Sequence, residues 1–211
     1  MRQLMSNYMT YTIELKILTK IKKAKRGSVF FTDDFVNYGT AKACNKVLER
    51  LAERGELMRV SRGIYTLPRK SKLLDIKLTP SIETVAQAIA RRDRARIVPT
   101  GIFALHALGL STQVPMNAVY LTDGAARKIS IGKQKLLFKK TSPRNLAAIG
   151  EISSLVIQAL KAIGENKATE EELTKIIEIL KKEKPERLNN DLKLAPEWIR
   201  IIMRKAQNYN K

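Results

Sequence analysis

The stretch TAKACNKVLERLAERGELMRVSRGIYTL, Thr40 to Leu67, decides how this chain is read. It predicts a helix from Thr40 to Arg54 and a stop at Gly55, where glycine accepts the left-handed turn that ends helices. A hairpin follows: Leu57 to Val60, a Ser61-Arg62-Gly63 turn, and Ile64 to Leu67. Within the helix, Cys44, Val47, Leu48 and Leu51 form one apolar stripe. Lys42, Asn45, Lys46 and Glu49 form the opposite one at i, i+3, i+4 and i+7. An amphipathic helix running into a basic hairpin predicts a winged helix.

The residues upstream supply the other parts of such a unit. Tyr11 to Arg26 reads as a first helix with Ile13, Ile17, Leu18 and Ile21 on its core face and Gly27 at its end. Ser28 to Phe31 is short, apolar and suited to a strand that joins the hairpin. Thr32 is placed to cap a brief helix from Asp33 to Asn37, with the Asp33-Asp34 pair in its favourable first turn.

Downstream the pattern changes. Arg69 to Thr79 reads as a basic connector with an apolar patch at Leu73, Leu74 and Ile76. Pro80 opens a helix to about Arg92, with Ile82, Val85, Ala86 and Ile89 facing a core. Thr100 to Leu108 is helical. Ala118–Thr122, Lys128–Ile131 and Lys135–Lys140 read as a strand meander with turns at Asp123-Gly124 and Gly132. Three helices close the chain: Leu146–Ile163, Thr169–Lys182 and Pro196–Ala206. Thr169 and Glu172 stand at capping-box spacing. The fold class is therefore α+β. An N-terminal winged helix-turn-helix spans residues 1–70. A mixed domain spans 71–211, with a small antiparallel sheet at about 97–140 and helices at about 145–207.

The charge says what such a chain meets. Forty Lys and Arg stand against 20 Asp and Glu, a formal net charge of +20 over 211 residues. Residues 1–72 carry 16 basic and 6 acidic side chains, residues 73–150 carry 12 and 4, and residues 151–211 carry 12 and 10. The basic excess thus belongs to the first two thirds, and it favours an anionic partner, nucleic acid above all. The single cysteine, Cys44, allows no internal disulfide. Met1 to Thr19 lacks the apolar run of a signal peptide, and no apolar stretch has the length of a membrane span. A soluble, cytoplasmic protein without a membrane partner is the expectation.

On a winged helix, the N-terminal half of the Thr40–Arg54 helix would enter the major groove. Lys42, Asn45 and Lys46 lie there. Lysine can donate to guanine O6 and N7, and asparagine can pair with adenine N6 and N7. Thr40 could hold a phosphate as well as cap its helix. Arg59, Ser61 and Arg62 on the hairpin, with Arg69 and Lys70 beyond it, would meet phosphates or the neighbouring minor groove. The first helix's lysines could widen that footprint. The same polar stripe is also what the solvated face of any amphipathic helix looks like. The order of three helices and a basic hairpin, in a chain of this charge, is what favours double-stranded DNA. Some winged helices meet proteins instead.

Two segments carry a family resemblance. ILTKIKKAKRGSVFFTDDF, Ile17 to Phe35, and KVLERLAERGELMRVSRGIY, Lys46 to Tyr65, resemble the N-terminal domain of AbiEi-like antitoxins. The L-x-R-x-x-R-G-x-Y wing from Leu57 to Tyr65 is the most recognisable piece. The similarity weakens through TGIFALHALGL, Thr100 to Leu110, and Tyr120 to Thr122, and after about Ser142 only the layout is similar. The resemblance implies a transcriptional regulator and repressor of its own operon, in a type IV toxin–antitoxin or abortive-infection system. It would act on its promoter through Lys42, Asn45, Lys46, Arg59 and Arg62. It also implies a nucleotidyltransferase-like toxin as partner, with antitoxin activity in the C-terminal part. The alternative is a protein- or RNA-interaction module that neutralises a toxin without binding DNA.

Little in the sequence suggests catalysis. His106, the one histidine, lies between Leu105 and Ala107 and reads as a packed or partly satisfied core residue. One cysteine and one histidine supply no zinc site. Asp123-Gly124 reads as a turn, Glu170 to Glu172 as a helix start, and Trp198 with Ile199, Ile202 and Met203 as an anchor for the last helix. No enzyme activity, cofactor or metal is expected, and the oligomeric state stays open.

Overall fold

The computed structural model describes residues 2–70, 77–113 and 115–208, with side chains over 12–69, 77–113 and 115–207. The chain is α+β, with small, mainly antiparallel sheets and C-terminal helices, and divides into two compact units, Met1–Ala88 and Ile89–Lys211. The division, between Ala88 and Ile89, falls inside a helix, Ile82–Asp93, and not at residue 70 where the sequence pattern divides the domains. The apolar patch at Leu73, Leu74 and Ile76 lies outside the described residues.

The first unit begins with α1 (Arg2–Lys22), β1 (Val29–Phe31), a 3-10 turn (Thr32–Tyr38) and α2 (Ala41–Glu53). The hairpin β2 (Met58–Ser61) and β3 (Ile64–Thr66) follows, and then the short pair β4 (Arg69–Lys70) and β5 (Lys77–Leu78). β1 and β2 flank β3 in an antiparallel sheet, so the Ser28–Phe31 segment joins the hairpin as its pattern suggests. Ile13, Ile17 and Ile21 of α1 pack with Phe35, with Cys44, Val47, Leu48 and Leu51 of α2, and with Leu57, Tyr65 and Leu67. The predicted apolar stripe of α2 is thus wholly buried.

Local chemistry sets the borders of α2. Thr40 Oγ1 accepts from Ala43 N at 3.3 Å and caps the start. At the other end Gly55 N donates to Ala52 O and Glu56 N to Leu51 O, a Schellman stop that suits Gly55 at φ +74°. The first helix departs from its expected borders, running from Arg2 and ending at Lys22 rather than Arg26. Past Ile21 only Ala24 touches the core, while Lys22, Lys23, Lys25 and Arg26 are exposed, so little apolar contact holds another turn. The Asp33–Asn37 helix is a 3-10 turn that starts at Thr32. Asp34 Oδ2 secures its entry by accepting from Phe31 N at 2.8 Å, where Thr32 was expected to cap.

The bridging helix α3 (Ile82–Asp93) starts two residues after Pro80. Ser81 Oγ accepts from Thr84 N at 3.1 Å, so the serine rather than the proline sets the start. In the second unit, β6 (Ile97–Thr100) and α4 (Ile102–Ala107) precede β7 (Asn117–Thr122), β8 (Arg127–Ile131) and β9 (Gln134–Lys140). The expected meander is corrected here. The strand order is β6-β7-β9-β8, and β9 lies parallel to β7 between it and β8. The link from Thr122 to Arg127 must step over one strand, about 10 Å, and its four residues are long enough to do so. The outer pairs, β6·β7 and β8·β9, are antiparallel.

After a 3-10 turn (Pro143–Leu146) come α5 (Glu151–Ile163), α6 (Glu170–Leu180), α7 (Pro185–Leu192) and α8 (Glu197–Asn208). α5 starts five residues later than its apolar pattern suggests, because Pro143 begins a separate turn. The sequence pattern does not predict α7. Its eight residues bury only Leu188, Asp191 and Leu192, too short a pattern to stand out. Leu160, Ile176, Leu180, Leu188, Ile199 and Met203 form the centre of this helical cluster, and Trp198 is packed against it. The capping box at Thr169 forms as expected, with Glu172 N donating to Thr169 Oγ1 at 3.2 Å and Thr169 N to Glu172 Oε2 at 2.9 Å.

Candidate nucleic-acid interface

With Cys44, Val47, Leu48 and Leu51 turned inward, helical geometry turns Lys42 and Lys46 outward, and both are exposed. Arg59 on β2 and Arg62 in the hairpin turn are exposed as well. None of these four cations has an acidic partner within salt-bridge distance among the described residues. Arg50 and Arg54, near the other end of α2, behave differently. Arg50 lies 3.3 Å from Glu14, and Arg54 pairs with Glu14 and, at 3.1 Å, with Glu56. Along α2 and the hairpin, the uncompensated charge therefore gathers at the N-terminal half of the helix and on the strand and turn that carry Arg59 and Arg62.

Thr32 ties these two pieces together. Its backbone N donates to Gly63 O in the hairpin turn at 3.2 Å, and its hydroxyl donates to Asn45 Oδ1 on α2 at 2.9 Å. Gly63 holds a φ of +69°, which the tight turn requires and which glycine adopts without strain. Asn45 is accordingly half-buried with one lone pair of its amide oxygen in use, where the sequence suggests a fully outward residue. Nothing in the local pattern announces this link, since it joins residues 13 and 31 positions apart.

The remaining predicted contacts separate. Thr40 is exposed, and its hydroxyl serves the cap. Ser61 is half-buried at the bulge of β2. Arg69 lies beyond the opposite end of β3 from Arg62. Its Nε donates to Arg26 O at 2.9 Å, and Arg26 Nη1 donates to Pro68 O at 3.4 Å. Lys70 belongs to β4, but its side chain lies outside the described residues. On α1, Lys20 donates to Asp34 O at 2.6 Å and sits 5.0 Å from the centre of the Phe35 ring, while Lys16, Lys22, Lys23 and Lys25 are exposed.

Two charges act on a buried phenol of the hairpin. Arg59 is the cross-strand partner of Tyr65, whose hydroxyl is buried with no hydrogen-bond partner among the described residues. Burial pushes the Tyr65 phenol above its ordinary pKa, Arg59 pulls it down, and Glu49 raises it again. Glu49 therefore lies within electrostatic reach of the hairpin, on the same side of α2 as Lys42 and Lys46.

Elsewhere, the groups considered for chemistry have structural partners. His106 is half-buried, with Nδ1 3.2 Å from Ser111 O. The Cys44 Sγ donates to Phe35 O at 3.1 Å, and burial raises the thiol pKa. Asp123 accepts from Arg96 N at 2.8 Å and Arg96 Nε at 2.9 Å, contacts that lower its carboxyl pKa. No helix among the described residues is long and apolar enough to cross a membrane. No curated protein matches the chain. Residues 16–188 match a family of unknown function, DUF6088, and with most of the sequence inside that match the chain belongs to this family.

Proposed function

We propose that this protein is a sequence-specific DNA-binding regulator whose N-terminal unit acts as a winged helix-turn-helix, with α2 in the major groove and the β2–β3 hairpin as the wing. The observation that carries the reading is the cluster of four exposed cations, Lys42, Lys46, Arg59 and Arg62, on two elements joined through Thr32. The order helix, strand, turn, helix, hairpin supports it. So does the excess of basic over acidic residues.

In this reading Lys46 and Lys42 meet base edges, and Arg59 and Arg62 meet phosphates. The AbiEi-like resemblance of Ile17–Phe35 and Lys46–Tyr65 extends the proposal. The DNA is the protein's own promoter, binding represses the operon, and the second unit acts as antitoxin toward a nucleotidyltransferase-like toxin in the cytoplasm. One feature favours a second reading, a module that meets a protein or RNA without DNA. Glu49 and Glu53 continue the outward side of α2, where a duplex would repel them.

Titration of a fragment of the protein's own upstream DNA, at several salt concentrations, tests the proposal. Engagement of the four cations predicts a fall of log affinity with log salt of slope roughly −3 to −4. An affinity for that fragment no greater than for unrelated DNA of the same length would count against it.

A further inference from the structure

The second unit contains a cleft of about 470 Å³ between the 3-10 turn at Pro143–Leu146, α5 and the start of α8. Its polar lining is strongly cationic. Arg144, Lys161 and Arg200 face it, against one acid, Glu197. Arg200 is fully engaged, pairing with Glu197 at 2.7 Å and donating to Leu192 O at 2.9 Å and Ala195 O at 3.1 Å. That pairing neutralises Glu197 and leaves Arg144 and Lys161 without an acidic partner among the described residues. Gln158, only 5% exposed, lines the same cleft, and its side-chain amide makes no hydrogen bond among the described residues. Ile157 and Pro196 supply apolar wall.

We propose that this cleft binds a small phosphomonoester of nucleotide size, with Arg144 and Lys161 holding the phosphate and Gln158 and the apolar wall holding the organic part. The inference is independent of DNA binding by the first unit. Two unpaired cations match the charge of a phosphomonoester, about −1.5 to −2 at neutral pH. The guanidinium offers a planar fork to two phosphate oxygens, and the ammonium adds a compact charge. A primary amide can donate and accept at once, which suits the edge of a base or a sugar hydroxyl. The volume falls within the span of about 300–1,000 Å³ common for small-molecule sites.

The electrostatics of the cleft agree. Partial desolvation, and then the nearby charge of Arg144, lower the Lys161 pKa from the ordinary lysine value. An anion between the two cations reverses the second of these effects.

Calorimetric titration of the full chain with AMP, and separately with inorganic phosphate, tests the inference. The expected result is saturable one-to-one binding of AMP, tighter than phosphate, and weaker by roughly tenfold or more in Arg144→Ala and Lys161→Met. Lys161→Arg restores most of the affinity, and Arg62→Ala, in the other unit, leaves it unchanged. Both cleft positions are exposed, and near-ultraviolet dichroism of Trp198 reports that the variants keep the fold. Absence of saturable AMP binding overturns the inference. So does phosphate binding as tight as AMP binding, or AMP binding that survives the Arg144→Ala/Lys161→Met double substitution. None of these outcomes bears on promoter binding.

Discussion

Thr32 Oγ1 donates to Asn45 Oδ1 at 2.9 Å, and through this bond the turn before α2 grips the side of the helix that also carries Lys42 and Lys46. Thr32 N at the same time holds Gly63 O of the hairpin turn, so one residue sets the position of the hairpin tip against α2. For a surface that must meet two features of one partner, that spacing matters as much as the charges.

Thr32→Val and Asn45→Ala are expected to destabilise the protein by about 1 kcal/mol each, the net worth of a part-buried hydrogen bond. Because they break the same bond, the double variant should cost clearly less than the two combined. Urea unfolding of all four proteins checks this. If Asn45→Ala alters base preference while Thr32→Val does not, then Asn45 touches DNA as well as Thr32.

Lys46 and Arg62 should separate in DNA titrations. Lys46→Ala is expected to cost about 1–3 kcal/mol on the preferred sequence and to change which bases are preferred. Arg62→Ala should weaken all sequences nearly alike and make the salt slope shallower by about 1. Glu49→Gln removes a like charge from the same side of α2 and should tighten DNA binding. Looser or unchanged binding in that variant would argue for a partner other than a duplex.

The start of α5 depends on two buried carboxylates from distant parts of the chain. Asp191 accepts from Ile149 N at 2.9 Å, from Gly150 N at 2.8 Å and from Ser153 Oγ. Glu183 accepts from Ile152 N at 2.8 Å and Ser153 N at 3.2 Å. Asp191→Asn replaces one acceptor oxygen with a donor facing backbone N–H groups and should cost about 3 kcal/mol. Gly150→Ala should also destabilise, by about 1–3 kcal/mol, because its new methyl would stand 2.5 Å from Glu183 Oε2 and 2.9 Å from Asp191 Oδ2. Thermal unfolding of the second unit, followed through Trp198, measures both.

Asp123 gives a pH dependence of known sign. The side-chain hydrogen bond from Arg96 is the largest cause of its lowered pKa, with the Arg96 backbone N–H next. A carboxylate depressed in the folded state contributes stability above its unfolded pKa and loses it as pH falls through the folded one. Carboxyl NMR should therefore show Asp123 titrating below the ordinary carboxylate range. Arg96→Ala should move that titration upward, and an unmoved value would show that the contact does not form in solution.

Much of the first unit was legible from the chain because its signals are local. The stripe of Cys44, Val47, Leu48 and Leu51, the Thr40 cap, the Gly55 stop and the Ser61-Arg62-Gly63 turn each lie within a few residues of what they control. The capping box at Thr169 is of the same kind. Periodicity also assigned the buried side of α2 and the exposure of Lys42 and Lys46 correctly, since burial follows from where the methyl groups fall on the helix, but not the half-burial of Asn45 and Glu49.

Contacts between distant residues had no such signal. The parallel placement of β9 beside β7 depends on hydrogen bonding across the sheet, which strand patterns alone do not order. The Thr32 bridge, the carboxylates that hold α5, and the cleft that gathers Arg144, Gln158 and Lys161 all join residues whose own neighbourhoods look ordinary. Short-range periodicity and capping determined most of the longer helices and strands and which of their sides are polar, but not the short helix α7 or the strand β6. Three-dimensional packing alone determined which of those polar groups remain free to meet a partner, because a hydrogen bond is committed by proximity in space rather than in sequence.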